Sequence, residues 1–446
     1  MDAPLPRSPI IDESIAPFLR LPPELLLLIF KYLVTSTRSS LSLVPIILVC
    51  RSFHSLLQND SSSWTTVLIA LPTLESHRDN ANLSNFIRMV TLALEYSREK
   101  PLSLTVNLLR GSENHLSSDN RLGSRLRDGI ILDFITHLFL VLPRCHELTI
   151  ECSLWHDMET LISLVKRGFE DNDTFPLLES FNMTYNPTDT IEAFFHPNTL
   201  PLWRGGEPSP LIRFNNGATP FPSLRSVTIN NVAHTWRFLN LTGLHTLRLI
   251  NIQSYNSPSY VDFHRILLAN AHTLTTFELS DISITDNNAV SERLTVPNVR
   301  RMTIGFGSPK DLVWAAQTLD LPALKELVIE DRVTGLKLGN GQPWMSDSKK
   351  RQIMEGYRSL MRWVPLNCVQ RLTLRRVVFY ESNSEGVLVE EGSKDVSFTF
   401  KFLSEFREVR NLEVWHDHSS LALSNVVKSF SEALFPKLSS CSFEEL

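Results

Sequence analysis

Leu324-Lys325-Glu326-Leu327-Val328-Ile329-Glu330 is the stretch whose reading decides the fold. Its apolar anchors Leu324, Leu327 and Ile329 follow one another at spacings of three and two. The same spacing recurs upstream at Cys145/Leu148/Ile150, Leu178/Phe181/Met183, Leu224/Val227/Ile229, Leu244/Leu247/Leu249, Leu274/Phe277/Leu279 and Val299/Met302/Ile304. Downstream it returns at Val369/Leu372/Leu374, Val409/Leu412/Val414 and Leu438/Cys441/Phe443. A looser unit stands earlier, at Leu102-Ser103-Leu104-Thr105-Val106.

The residues beside the anchors tell the other half. Each of the ten units has three flanking positions around its last two anchors, and of these thirty only Ile250, Val328 and Trp415 are strongly apolar. The chain as a whole is 43% hydrophobic, so chance does not produce that split. Apolar alternating with polar is the signature of a strand with one buried and one wet face. Helix-like stretches precede many of the units: Phe86–Tyr96, Ile130–Leu142, Phe263–Ala271, Asp311–Leu319, Tyr357–Val364, Phe398–Phe406 and Val426–Leu434. In one of them Phe263, Ile266, Leu267 and Asn270 hold helical spacing, although Asn270 is polar. Pro176, Pro222, Pro297, Pro322 and Pro436 sit just before strand anchors, where proline stops a preceding helix.

Successive units start 33, 46, 20, 30, 25, 25, 45, 40 and 29 residues apart. Several of these intervals resemble those of leucine-rich repeats, which run roughly 20–29 residues. The longer intervals imply insertions, expected at 185–220, 332–350 and 380–396. Helix, stop and strand in repetition predict an α/β solenoid with parallel strands on its concave side.

The remaining segment carries its own motif. Residues 1–17 hold Pro4, Pro6, Pro9 and Pro17 and read as a loose tail. Then comes Leu21-Pro22-Pro23-Glu24-Leu25-Leu26-Leu27-Leu28-Ile29-Phe30-Lys31-Tyr32-Leu33. Two prolines suit the first turn of a helix, and Glu24 suits its positive end. The run Leu25–Leu33 is apolar nearly all round, and so short a helix cannot bury every face in a small domain. A partner surface is therefore expected. Val49, Phe53 and Leu56 supply a second apolar stripe.

This segment, with Leu48-Val49-Cys50-Arg51-Ser52-Phe53 and Trp64, resembles an F-box. The resemblance implies an all-helical domain at 18–70, joined to the repeat-like α/β domain at 71–446. It implies that Leu21, Pro22, Ile29, Leu33, Val49, Cys50 and Trp64 bind or support a Skp-type adaptor, and through it a cullin. The chain would then be a non-catalytic receptor subunit of a ubiquitin ligase. The alternative is a repeat scaffold with no ligase connection. Two features depart from the family pattern. Phe53 stands where tryptophan is more usual, and the segment from Leu33 to Val49 is several residues longer and contains Pro45. That extra length predicts a displaced second helix.

On the expected concave face, Glu147, Glu151, Glu278, Glu326, Glu330 and Glu413 mix with Arg248, Arg301, Arg371 and Arg375. Such a face suits a protein with its own charge pattern. Arg248, Glu326, Arg371, Arg375 and Trp415 are its candidate target-binding residues, Trp415 being the large aromatic among them.

Net charge is -5 and the isoelectric point about 6.2, with no basic stripe for nucleic acid. The longest apolar runs are too short to cross a bilayer, and Met1–Ile10, without a charged stretch followed by an apolar one, does not read as a secretory signal. Cys50, Cys145, Cys152, Cys368 and Cys441 are odd in number and scattered, which suits reduced thiols in a cytoplasmic or nuclear protein. His416-Asp417-His418 and the set Cys145, Cys152 and His156 have the elements of metal ligands but read as a loop and as core packing. Gly305-Phe306-Gly307 reads as a turn after a strand, and Lys349-Lys350-Arg351 as a solvated loop. Neither a metal nor a cofactor is expected, and no catalytic motif is present.

Overall fold

The computed structural model describes residues 21–70, 80–108, 141–153, 175–186, 221–232, 241–252, 260–282, 293–332, 346–382, 388–390, 397–416 and 433–445, with a few isolated residues between them. The chain divides into two compact units, Met1–Asn107 and Leu108–Leu446.

The first unit opens with helix α1 (Pro23–Thr37). The Pro22 carbonyl accepts the N–H groups of Leu25 and Leu26 at 3.0 and 3.1 Å. Pro23 takes the first turn, where its missing N–H costs nothing. The helix stops at Arg38, whose φ of 55° is left-handed. The hydroxyls of Thr35 and Thr37 donate back to the carbonyls of Lys31 and Leu33, four residues earlier, at 2.9 and 2.8 Å. Leu26, Phe30 and Val34 form the buried stripe.

The extra residues before Val49 form a 3-10 turn, Ser40–Leu43, and a short helix α2 (Val44–Ile47) with Pro45 in its first turn. Leu41, Leu43, Val44 and Ile47 are all buried. The added segment thus enlarges the core. Helix α3 (Arg51–Asn59) packs against α1, with the Phe30 and Phe53 rings edge to face at 5.5 Å.

The expected all-helical domain is corrected at its end. Residues Thr66–Ala70 form strand β1, with Val67 and Ile69 buried and their neighbours less so. After helix α4 (Asn80–Ser97), strand β2 (Leu102–Leu108) pairs with β1 in parallel. On β1 itself, Thr66 N–H donates to Ser40 Oγ at 3.2 Å and Leu68 N–H to Ser39 Oγ at 3.3 Å. These two buried serines satisfy backbone groups that a bare strand edge would leave open. Tyr96 of α4 packs its ring on Trp64 at 5.1 Å and meets His54 Nε2 at 3.2 Å through its hydroxyl. The first unit therefore runs well past residue 70.

The second unit carries strands β3 (Cys145–Cys152), β4 (Ser180–Tyr185), β5 (Ser226–Asn230), β6 (Thr246–Ile250), β7 (Thr276–Ser280), β8 (Leu294–Thr295), β9 (Arg301–Phe306), β10 (Leu319–Asp320), β11 (Glu326–Asp331), β12 (Arg371–Arg375), β13 (Tyr380–Ser382), β14 (Leu388–Glu390), β15 (Asn411–His416) and β16 (Ser440–Glu445). Strands β3, β4, β5, β6, β7, β9, β11, β12, β15 and β16 stand side by side in chain order, each pair parallel. The register follows the sequence pattern. Leu148, Phe181, Val227, Leu247, Phe277, Met302, Leu327, Leu372, Leu412 and Cys441 align across the sheet in one row. The third anchors, from Ile150 to Phe443, align in another.

Parallel strands need crossover connections. Helices α5 (Tyr260–Asn270), α6 (Pro309–Thr318), α7 (Asp347–Trp363) and α8 (Ser397–Ser404) supply several, and they cover the anchor face. Phe263 of α5 meets Phe277 of β7 at 6.0 Å and Trp314 of α6 at 5.1 Å. Tyr357 of α7 meets Phe306 of β9 at 6.0 Å and Phe402 of α8 at 5.4 Å.

A turn repeats at the strand ends. Asn231, Asn251, Asp281 and Arg376 have φ of 56, 53, 51 and 55° and follow β5, β6, β7 and β12. Asn and Asp tolerate that left-handed region better than most residues. Their N–H groups donate to carbonyls of the next strand, Ile250, Ser280, Gly305 and Trp415, at 2.7 to 2.9 Å. A buried Val232, Ile252, Ile282 or Val377 follows each.

Three local expectations change. Lys349-Lys350-Arg351 lies in the first turns of α7, capped where Ser346 Oγ accepts from Lys349 N–H, and is no loop. Gly305 and Phe306 belong to β9, and Ser280 fills the space a side chain at Gly305 would need. The stretch expected as a loop at 380–396 contains an antiparallel hairpin of β13 and β14. Residues 187–220 and 333–345, within the other two expected insertions, lie outside the described residues.

Candidate docking surfaces

Within the first unit, α1 presents Leu25, Leu28, Ile29 and Tyr32 to solvent at i, i+3, i+4 and i+7. Leu28 is 64% exposed and Tyr32 75%. Just before α3, Leu48 is 78% exposed and Val49 69%. Leaving six large apolar side chains partly in water forgoes on the order of 1 kcal/mol for each that a partner would cover. Scattered apolar residues are normal on a surface, but four on one helical face are a patch.

Pro22, Ile29 and Val49 are exposed here, whereas Leu21, Leu33 and Cys50 are half-buried. Trp64 is placed otherwise. It is wholly buried, with Nε1 donating to the Leu57 carbonyl at 2.8 Å, so it holds the unit together and cannot touch a partner. Leu25, Leu28, Tyr32 and Leu48 were missed by the sequence reading. In a run apolar on every side, periodicity does not say which stripe faces the core.

In the same unit Asp60 anchors the turn before Trp64. Burial opposes its ionisation, but the hydroxyls of Ser62 and Ser63 donate to its carboxylate at 2.6 and 2.5 Å, and Lys31 Nζ lies 3.7 Å away. Together they outweigh burial and hold its pKa below the ordinary carboxylate value.

The second unit offers the face of its sheet that the described helices leave open. Arg248, Glu326, Arg371, Arg375 and Trp415 all occupy outward strand positions, but the structure gathers them into separate groups. On β6 and β7, Arg248 pairs with Glu278 at 3.5 Å. Further along, Glu326 of β11 lies between Arg301 of β9 at 3.9 Å and Arg371 of β12 at 3.4 Å. Glu330 meets Arg375 at 4.0 Å, and the Arg375 guanidinium stacks over Trp415 at 5.0 Å. Thr373 donates to Glu413 at 3.2 Å.

Arg332, just beyond β11, was not foreseen. Its Nη1 donates to Asn251 Oδ1 at 2.8 Å and Asp281 Oδ2 at 2.7 Å, and its Nε to Glu330 Oε1 at 3.0 Å. Burial disfavours the charged form, yet bonds to Asp281 and Glu330 prevail and raise its pKa. Asn251 Nδ2 in turn donates to Asn230 Oδ1 at 3.1 Å. A polar chain thus runs along the strand ends from β5 to β15.

Among the described residues no group of His, Cys, Asp and Glu could hold a metal ion. Burial pushes the Cys145 thiol up to about 12 and the Cys152 thiol up as well, so both stay protonated. His156, Asp417 and His418 lie outside the described residues. No described helix is long and apolar enough to cross a membrane.

A search of curated proteins found no match to this chain. The F-box-like family model matches residues 18–70, the segment that bears the exposed apolar patch. The chain therefore carries an F-box-like domain, which supports its being an F-box protein.

Proposed function

We propose that this protein is a non-catalytic receptor subunit of a cullin-type ubiquitin ligase. F-box domains generally bind Skp-type adaptors. The observation that carries the reading is the apolar face of α1 with Leu48 and Val49, exposed within the segment that matches the F-box-like family. In this reading those residues seat on the adaptor, which links the chain to a cullin. The second unit is a leucine-rich-repeat-like solenoid whose uncovered sheet face holds a target protein. The parallel strands in chain order, with helices against one face, support that reading.

Catalysis in such an assembly is proximity: a lysine of the target is held near the ubiquitin-charged enzyme. The chain itself then needs no acid, base, nucleophile, metal or cofactor, and works in the cytoplasm or nucleus.

Affinity purification of the tagged chain from cells tests the link. The adaptor and a cullin are expected to co-purify in stoichiometric amounts. Recovery of neither, from a chain that still folds, would favour a repeat scaffold without ligase connection.

A further inference from the structure

The proposed target face has a chemistry of its own across β9, β11, β12 and β15. We propose that it receives an extended acidic segment of the partner protein, its carboxylates taken by Arg371 and Arg375 with Arg301 alongside. The inference rests on the reading of this sheet face as the target surface, and it names the class of ligand.

The argument is one of depth. The side chains of Arg371, Arg301 and Arg375 are 63, 53 and 38% exposed, while those of Glu326 and Glu330 are 34 and 13%. An incoming segment therefore meets guanidinium groups first. The carboxylates lie deeper, and each is shared. Glu326 serves Arg301 and Arg371, and Glu330 serves Arg332 and Arg375. A guanidinium carries five N–H donors in a planar fork, so a contact to one shared glutamate leaves capacity for a second carboxylate. Trp415 backs Arg375 and holds its plane, which lowers the ordering cost of a bidentate contact.

Spacing favours an extended ligand. Arg371 and Arg375 are four residues apart on one strand, roughly 13 Å at the usual strand rise. A partner segment lying along β12 with acidic residues four apart presents its carboxylates at the same interval. Two carboxylates oppose it. Glu413 is exposed on β15 and accepts the Thr373 hydroxyl, and Glu444 is exposed on β16 in register with Trp415, so both repel the ligand and limit affinity.

Fluorescence anisotropy with the purified full chain tests this. The probe is a labelled nine-residue peptide with two glutamates four apart, against the same peptide with glutamines and with lysines. The glutamate peptide is expected to bind about tenfold or more tighter than either, and to weaken as salt rises. Arg371→Gln with Arg375→Gln should cost about tenfold in affinity, the exposed single change Arg371→Gln a smaller loss, and Glu413→Gln a gain. Equal binding of the glutamine peptide, or no loss in either arginine variant, overturns the inference. Adaptor binding by the same preparations separates the two claims. Adaptor binding without peptide preference overturns the acidic ligand alone, and peptide preference without adaptor binding overturns the ligase reading alone.

Discussion

Asn270 is fully buried, yet each of its polar atoms is used. Its Nδ2 donates to the carbonyls of Leu241 and Ile266 at 2.8 and 2.7 Å, and its Oδ1 accepts the Leu244 N–H at 2.7 Å. The one polar residue in an otherwise apolar helical stripe is thus the clamp between α5 and the segment leading into β6. Asn270→Leu fills the space but strands the Leu241 carbonyl and the Leu244 N–H. A loss of about 2–3 kcal/mol is expected in urea denaturation. Asp60 makes a second residue-scale prediction. Its folded pKa lies below the unfolded value of 3.8, so its stabilising contribution is full above that value and is lost as pH falls through the folded one. Acid titration followed by circular dichroism should show the first unit weakening in that window. Asp60→Asn, which has no such titration, should weaken less over the same range.

At the scale of elements, the contact between α6 and α7 depends on a missing side chain. A Cβ at Gly356 would stand 2.8 Å from Leu312 Cδ2, and Leu312 is fully buried. Gly356→Ala, although it favours helix, should cost about 1–3 kcal/mol because the core has no room. Thermal melts of Gly356→Ala with and without Leu312→Ala would check this, since the second change opens the space and should make the alanine nearly neutral. Elements also show how far the sequence could be read. The strands of the large sheet were legible because ten units repeat one alternation, and their anchors align in the register that the spacing implies. Strand β1 was not legible. Five residues after a helical motif carry too little alternation, and its partner β2 comes more than thirty residues later. The start of α7 was missed because its first turns, Asp347-Ser348-Lys349-Lys350-Arg351, are wholly polar and show no stripe. The adaptor-facing candidates were legible as a segment but not residue by residue. The motif does not divide binding from supporting residues, and the buried indole of Trp64, bonded to Leu57, makes it a supporting one. Arg332 gave no signal, because its partners Asn251 and Asp281 are 81 and 51 positions away.

On the scale of the whole molecule, each unit solves one half of a receptor's task in the proposed function. The first hides Leu26, Phe30 and Val34 and leaves Leu25, Leu28, Ile29 and Tyr32 outside. The second buries its aromatic core under helices, and among the described residues its charged sheet face stays open. The central claim is that the apolar face of the first unit binds a Skp-type adaptor. Titration calorimetry of the purified full chain with the purified adaptor tests it most directly, using wild type and the double variant Leu28→Asp with Val49→Asp. Both positions are well exposed, so the changes should leave the fold intact. The account predicts one-to-one binding by wild type and a loss of at least about 30-fold, roughly 2 kcal/mol, in the variant. No binding by wild type, or equal affinity for both, would contradict it.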